Sequence, residues 1–330
     1  MPTYFLTGAT GFVGSHVAEQ AVKRGPVRAL VRPNADTAHL KALGVELVPG
    51  DLAEPETIKL AVQGADVVIH CAAKVGDWGD ATDFRRVNVG GLQALLEAVR
   101  GKPLQRFVYL SSLGVYAARH HDGTDETEPL PEKHIDGYTQ SKVECEKLAL
   151  EEHRLHQTPI AILRPGFIYG PRDRTLLPRI AGRLRKKDII YIAGGKYALN
   201  TTYVDNLVEA IFLAAENPKA IGEVFNITDG EFITKKRFFE ALADGLELPR
   251  PKGSIPLFLA RILARWREAK FRRQNRPTPP RITQASLKFA GLNLDFSIAK
   301  ARTILGYDPK VGFDEGMAKS IAWMRETPGW

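Results

Sequence analysis

Cysteine is almost absent from the chain: Cys71 and Cys145 are the only two in 330 residues. One stands in an apolar, strand-like run and the other in a helical pattern, which argues against a disulfide scaffold and for a reducing compartment. No stretch of about 18 apolar residues occurs, so no helix is expected to cross a membrane. A charged leader, an apolar h-region and a cleavage site are also missing ahead of the first strand-like run. The expectation is therefore a cytoplasmic protein, with the inner membrane surface as its one peripheral location. No residue is nominated as a metal ligand.

What is present is ordinary for a globular enzyme: 44% hydrophobic and 25% charged residues, which argues against wholesale disorder. The length suits one large domain with a smaller companion. The formal charge of +8 is unevenly placed. Between Arg261 and Arg281 lie seven Arg and one Lys against Glu268 alone, and a second basic stretch runs from Arg172 to Lys187. Such clusters suit nucleic acid, an anionic membrane surface or an anionic ligand. No base-stacking aromatic pattern accompanies the arginines, so nucleic acid is not expected.

Along the first 165 residues, short apolar runs at 3–7, 27–31, 46–48, 67–71, 106–111 and 160–164 alternate with helical patterns at 12–24, 55–63, 83–99 and 138–155. Continuous Val/Ile/Leu-rich strands alternating with helices predict an α/β fold, a doubly wound parallel sheet covered on both faces. After Pro171 the alternation weakens. A mostly helical substrate-binding lobe is expected over 171–330, with 198–228, including the run VFNIT, returning to the sheet domain of 1–170. The least ordered stretches are expected at 118–136 and 272–281.

TGATGFVG sets Gly8, Gly11 and Gly14 three positions apart between a strand and a helix. Glycine there permits a tight turn, close approach of backbone to phosphate and close helix–strand packing, while the helix start offers free N–H groups to a pyrophosphate. Thr10, Phe12 and Val13 complete the loop and are nominated with the glycines. The spacing matches the TGxxGxxG pattern and resembles the short-chain dehydrogenase/reductase family, which implies a Rossmann domain. The second strand ends Val31-Arg32-Pro33 with no acid before Asp36. An acid there would bind the ribose hydroxyls of NAD, whereas Arg accommodates the extra phosphate, so Arg32 favours NADP(H) over NAD(H). By resemblance, Asp51 and Leu52 contact the adenine end, and Ala72, Ala73 and Pro165 pack against the cofactor.

Tyr138 and Lys142, in YTQSK, are four residues apart and share a helix face. Carbonyl reduction needs a proton donor beside the oxygen that gains charge. A phenol with an adjacent ammonium, beside the positive ring of the oxidised cofactor, has its pKa drawn toward the working range. Ser112 would donate to the same oxygen, and Asn88, in VNVGG, resembles the family's helix Asn that organises the lysine and a water. The order TGATGFVG, GDL, HCAA, VNVGG, FVYLSS, YTQSK, LRPGFIYGPRD and TTYVDNLVEA resembles the extended branch of the family. Two departures are Gly91, where Thr is common, and the polar segment HHDGTDETEPLPEKH before Tyr138.

For the substrate, Phe167 stands where sugar-nucleotide enzymes of this kind usually carry Asn, which points to a less polar molecule. LRPGFIYGPRD resembles the 3β-hydroxysteroid dehydrogenase branch, including sterol-4-carboxylate dehydrogenases, and AAKVGDWGD (72–80) resembles bacterial 2-alkyl-3-oxoalkanoate reductases. The implied substrate is an apolar steroid or β-hydroxy/β-keto acid, with Lys74 or Arg172 as candidate carboxylate ligands. The competing readings are a nucleotide-sugar epimerase or dehydratase, with the 172–187 cations as a diphosphate clamp, and a non-catalytic redox sensor or scaffold. Within 255–273, Leu257, Phe258, Ile262 and Trp266 fall near one helical face ahead of a cluster of cations. That pattern suits an anionic bilayer or a solvated lid helix of the lobe. The helices at 83–99 and 138–155 resemble those through which family members form homodimers.

Overall fold

Seven short apolar runs build one parallel sheet: β1 (Tyr4–Thr7), β2 (Val27–Val31), β3 (Glu46–Pro49), β4 (Val67–His70), β5 (Arg106–Leu110), β6 (Ile160–Pro165) and β7 (Val224–Ile227). Their order across the sheet is β7-β6-β5-β4-β1-β2-β3. All four residues of β1 and of β4 are buried, which is why these strands read as continuous apolar runs rather than alternating ones. The structure is a computed structural model that describes residues 1–327 apart from Asp77, Asn275, Pro277 and Arg281.

The principal helices are α1 (Phe12–Ala21), α2 (Gly90–Val99), α3 (Gly137–His156), α4 (Leu176–Arg185), α5 (Val204–Glu216), α6 (Lys235–Gly245), α7 (Leu257–Arg273), α8 (Gln284–Gly291) and α9 (Phe313–Glu326). Adjacent residues of β1 feed opposite cores. Leu6 packs with Val17, Val108, Leu207 and Ile211, and Phe5 packs with Leu92, Leu95, Phe107 and Cys145 on the other face. A third core gathers Tyr169, Leu177, Tyr203, Phe238 and Phe313. The segment 204–227 returns to the sheet: α5 packs on α1 and β5, and Val224 pairs with Ile162 on β6.

The chain leaves β1 toward β2 on one side and returns at β4 on the other. This reversal opens a crevice beyond the carboxyl ends of β1 and β4, the position where open α/β sheets bind ligands.

One expectation of weak order is corrected. Within 118–136, His121–Thr124 forms a strand parallel to Leu294–Phe296, His121 is fully buried, and Glu126 Oε1 accepts from Asn226 N at 2.6 Å. Several polar groups of the segment are thus bonded within the fold, among them His121, Glu126 and His134. In 272–281, α7 continues to Arg273; Asn275, Pro277 and Arg281 lie outside the described residues, as does Asp77 of the 72–80 loop.

Candidate active site

The crevice is floored by the glycine loop. Gly8 has φ +73°, and a Cβ on it would lie 2.7 Å from Ala72 N. A Cβ on Gly14 would lie 2.1 Å from Gly8 O, so α1 is seated on the loop at a distance only glycine allows. Gly11 N donates to Gly8 O at 2.9 Å. Gly11 is the α1 N-cap and offers no side-chain cap, and the first turn carries no acid. The helix start therefore keeps free N–H groups and the positive end of its dipole for an anion. Thr10 and Gly11 are exposed, and Val13 is half-buried. The Phe12 ring packs on the third core, leaving its backbone at the loop. This cradle fits a dinucleotide pyrophosphate.

On the adenosine side, Arg32 is exposed immediately after β2 and carries no side-chain hydrogen bond or ion pair among the described residues. Asp51 folds back to accept from Ala53 N at 2.9 Å, and Leu52 is buried. Gly91 now has an explanation: a Cβ there would lie 2.9 Å from Leu52 Cβ, so a threonine would displace Leu52. Beyond β4, Ala72 N reaches Thr7 Oγ1 at 3.4 Å, and Ala72 and Ala73 are half-buried. His70, bonded to Thr7, is held neutral by burial, its pKa down at about 3.

Tyr138 opens α3. Asp136 caps the helix by accepting from Thr139 N at 2.8 Å. Gly137 passes so close to the 81–84 turn that a Cβ would lie 2.9 Å from the Phe84 ring. Tyr138, Lys142 and Glu146 then follow at four-residue intervals down one stripe. Lys142 is buried; its Nζ donates to Leu110 O at 2.6 Å and lies 4.8 Å from the Tyr109 ring centre. Burial pulls its pKa below the ordinary lysine value.

In this structure the Tyr138 pKa lies above the ordinary phenol value. Burial, helped by the Asp136 charge, pushes it up to about 12, and only Ser112 opposes the rise. The Lys142 ammonium meanwhile donates to the Leu110 carbonyl. Ser112 is the serine on the Tyr138 side, while its own Oγ accepts from Gly114 N at 3.0 Å. Ser111 is buried and donates to Glu146.

Asn88 sits in a π-helical turn, Arg85–Val89, a distortion common at functional sites. Its Nδ2 donates to Ser141 Oγ at 2.8 Å and to Lys74 O at 3.1 Å, and its Oδ1 accepts from Lys74 N at 2.7 Å. It therefore ties the loop after β4 to α3; no bond runs from it to the Lys142 side chain.

Two residues expected to meet a substrate carboxylate pair with acids of the chain itself. Arg172, at φ +70°, forks onto Glu19 of α1 at 2.5 and 2.9 Å and reaches His16 at 3.1 Å. Lys74 pairs with Asp83 at 3.0 Å and lies over the Phe84 ring. Phe167, beyond Pro165 at the end of β6, stacks on Phe289 with ring centres 4.7 Å apart and meets Phe238 edge-on at 5.2 Å. A cavity of about 460 Å³ lined by Asn200, Glu231, Phe296 and Arg302 does not include Tyr138 or Lys142.

Sequence reasoning missed two supports of this site. One is Lys288 of α8, whose buried Nζ donates to Gly114 O and Tyr116 O, both at 2.6 Å. It pins the turn after Ser112 from α8; nothing local in the sequence announces a partner more than 170 positions away. The other is Glu146 with Arg164. Its signal was available, because Glu146 continues the Tyr138–Lys142 stripe by one more turn.

The family model for the NAD dependent epimerase/dehydratase family matches residues 4–228. Among curated proteins, the chain is 33% identical to a 4-hydroxy-2-methyl-3-oxo-4-farnesyl-3,4-dihydroquinoline-1-oxide ketoreductase of Stigmatella aurantiaca, over 95% of this chain and 94% of that one. It is 30% identical to a 2-alkyl-3-oxoalkanoate reductase of Shewanella oneidensis, over 96% and 84%. The crystal structure of gox2253 superposes with a TM-score of 0.82 at 29% identity, covering 99% of this chain and 98% of that one.

Proposed function

This chain belongs to the NAD dependent epimerase/dehydratase family, and on that premise we propose that it is an NADP(H)-linked reductase of an apolar β-keto substrate. The observation that carries the choice is Phe167. At the end of β6 the chain presents a half-buried phenyl ring packed on Phe289 and Phe238, which offers no hydrogen bond to a sugar. The names of the two relatives above, a ketoreductase and a 2-alkyl-3-oxoalkanoate reductase, support the same reading.

When bound, the nicotinamide supplies the hydride. The chain's residues do the rest. Gly8, Gly11 and Gly14 with the α1 start hold the pyrophosphate. Tyr138, protonated at neutral pH with its pKa at about 12, holds the proton that passes to the carbonyl oxygen. Ser112 donates to that oxygen. Lys142 places a cation one turn behind the phenol, and Asn88 positions the loop and helix around both.

Three substrate panels test the assignment. NADPH oxidation with 2-alkyl-3-oxo acids, or NADP reduction with 3β-hydroxysteroids, is expected. Silence on both, with turnover of UDP- or GDP-sugars, would replace it with an epimerase.

The preference for NADP(H) rests on Arg32, an exposed cation after β2 that has no side-chain partner among the described residues. A charge-assisted bond to phosphate contributes about 1.5–3 kcal/mol. Arg32→Gln is therefore expected to weaken NADPH binding roughly 10- to 100-fold and leave NADH nearly unchanged, as read by fluorescence titration. Tighter NADH than NADPH binding by the unaltered protein would overturn the preference. The reading also has two copies pairing through α2 and α3; sedimentation as a monomer at micromolar concentration would count against that.

A further inference from the structure

Helix α7 buries little of itself. Of its 17 residues only Ala260 and Ala264 are fully buried, and Leu257 leans into the neighbouring cores rather than joining the face expected for it. Phe258, Leu259, Ile262, Leu263 and Trp266 are exposed, with Phe258, Ile262 and Trp266 each at 60% or more. At 100° per residue, Phe258, Ile262 and Trp266 form one stripe with Leu259 and Leu263 beside it, opposite Ala260 and Ala264. So many large apolar side chains on one outward face mark an interaction surface rather than scattered exposure.

The charges identify the occupant. Arg261 and Arg265, both exposed, line one edge of the stripe, and Lys270 and Arg273 continue the face at its C-terminal end. The helix's one acid, Glu268, is spent on Gln284, accepting from its backbone at 2.7 Å and its side chain at 2.9 Å. A second copy docked by two-fold symmetry on this face would bring these cations against their own equivalents. An acidic, apolar-cored surface satisfies both halves of the pattern.

We infer that α7 docks the protein on an anionic phospholipid bilayer, with Phe258, Ile262 and Trp266 entering the interface and the surrounding Arg and Lys meeting lipid phosphates. No described helix is long and apolar enough to cross the membrane, so the contact is peripheral. The docked face adjoins the loop after β4. Arg272 lies 4.9 Å from the Trp78 ring centre, and Trp78 Nε1 donates to Arg276 O at 3.2 Å. If the reductase reading holds, an apolar substrate leaving the bilayer meets this loop first; the docking itself does not depend on that reading.

The test is flotation of the full chain with vesicles of phosphatidylcholine alone or with about one third phosphatidylglycerol, measured without substrate. Binding is expected to be roughly tenfold or more tighter to the anionic vesicles and to weaken with salt. The triple variant Phe258→Ser, Ile262→Ser, Trp266→Ser should lose roughly tenfold or more of that affinity, with NADPH affinity and circular dichroism unchanged because these side chains are exposed. A second variant, Arg261→Gln with Arg265→Gln, should lower the anionic preference alone. Equal binding to both vesicle types, or full binding by the triple variant, would overturn the inference. So would a self-association that the triple variant abolishes in a protein that ignores vesicles; that outcome assigns the face to a second copy.

Discussion

Tyr138→Phe is expected to lower turnover by about 10²–10⁴-fold, the range a positioned proton donor contributes, while NADPH binding stays intact. The variant removes one oxygen from a side chain at the head of α3. The helix cap at Asp136, the Gly137 contact with Phe84 and the Lys142 bond to Leu110 do not involve that oxygen. Titration and circular dichroism should therefore match the unaltered protein. The pH dependence has a definite sign. Burial pushes the phenol up to about 12, so the proton-donating form is present throughout the neutral range. Carbonyl reduction should be flat there and decline only at alkaline pH. Alcohol oxidation, which needs the deprotonated form, should rise as pH increases. In Tyr138→Phe both limbs should vanish; a variant with ordinary turnover would remove Tyr138 from its role.

The second large effect is on stability. Glu146 and Arg164 are almost fully buried, and the guanidinium reaches the carboxylate through Nε at 3.0 and 3.1 Å and Nη2 at 2.6 Å. Ser111 donates to the same carboxylate, Arg164 Nη1 donates to Tyr116 Oη at 2.7 Å, and Tyr116 Oη donates to Asn226 Oδ1 at 2.9 Å. The network joins α3, β6 and β7 to the turn after β5, one helical turn below Lys142. Removing one partner of such a pair leaves an uncompensated buried charge and typically costs about 3–5 kcal/mol. Glu146→Ala is expected to cost that much in urea denaturation. The double variant Glu146→Leu with Arg164→Met should recover most of it, because the desolvation penalty leaves with both charges. A single variant costing under about 1 kcal/mol would show that the pair contributes little.

Much of the sheet was legible along the chain. Each strand is a short apolar run bounded by turn residues, and both-face burial imposes that composition independently of long-range detail. The glycine loop was legible for a similar reason: Gly8 and Gly14 answer to backbone distances that no other residue tolerates. The segment before Tyr138 misled because polar composition does not distinguish solvated side chains from bonded ones. His121 and Glu126 are polar, and the fold puts both to use.

Charges were the least legible. Arg172 and Lys74 have the right chemistry for a substrate carboxylate, and the fold gives them Glu19 and Asp83 as partners. Which acid meets which base is decided by packing between segments remote in sequence. Lys288 shows the same limit from the other side.

For Tyr138 and Lys142, the sequence alone determined that they share a helix face, since 3.6 residues per turn puts positions four apart together. Only the tertiary structure decided what each faces. Burial against the sheet turned the ammonium to the Leu110 carbonyl and raised the phenol's pKa, because the dielectric and neighbours of a side chain depend on what the rest of the chain packs around it.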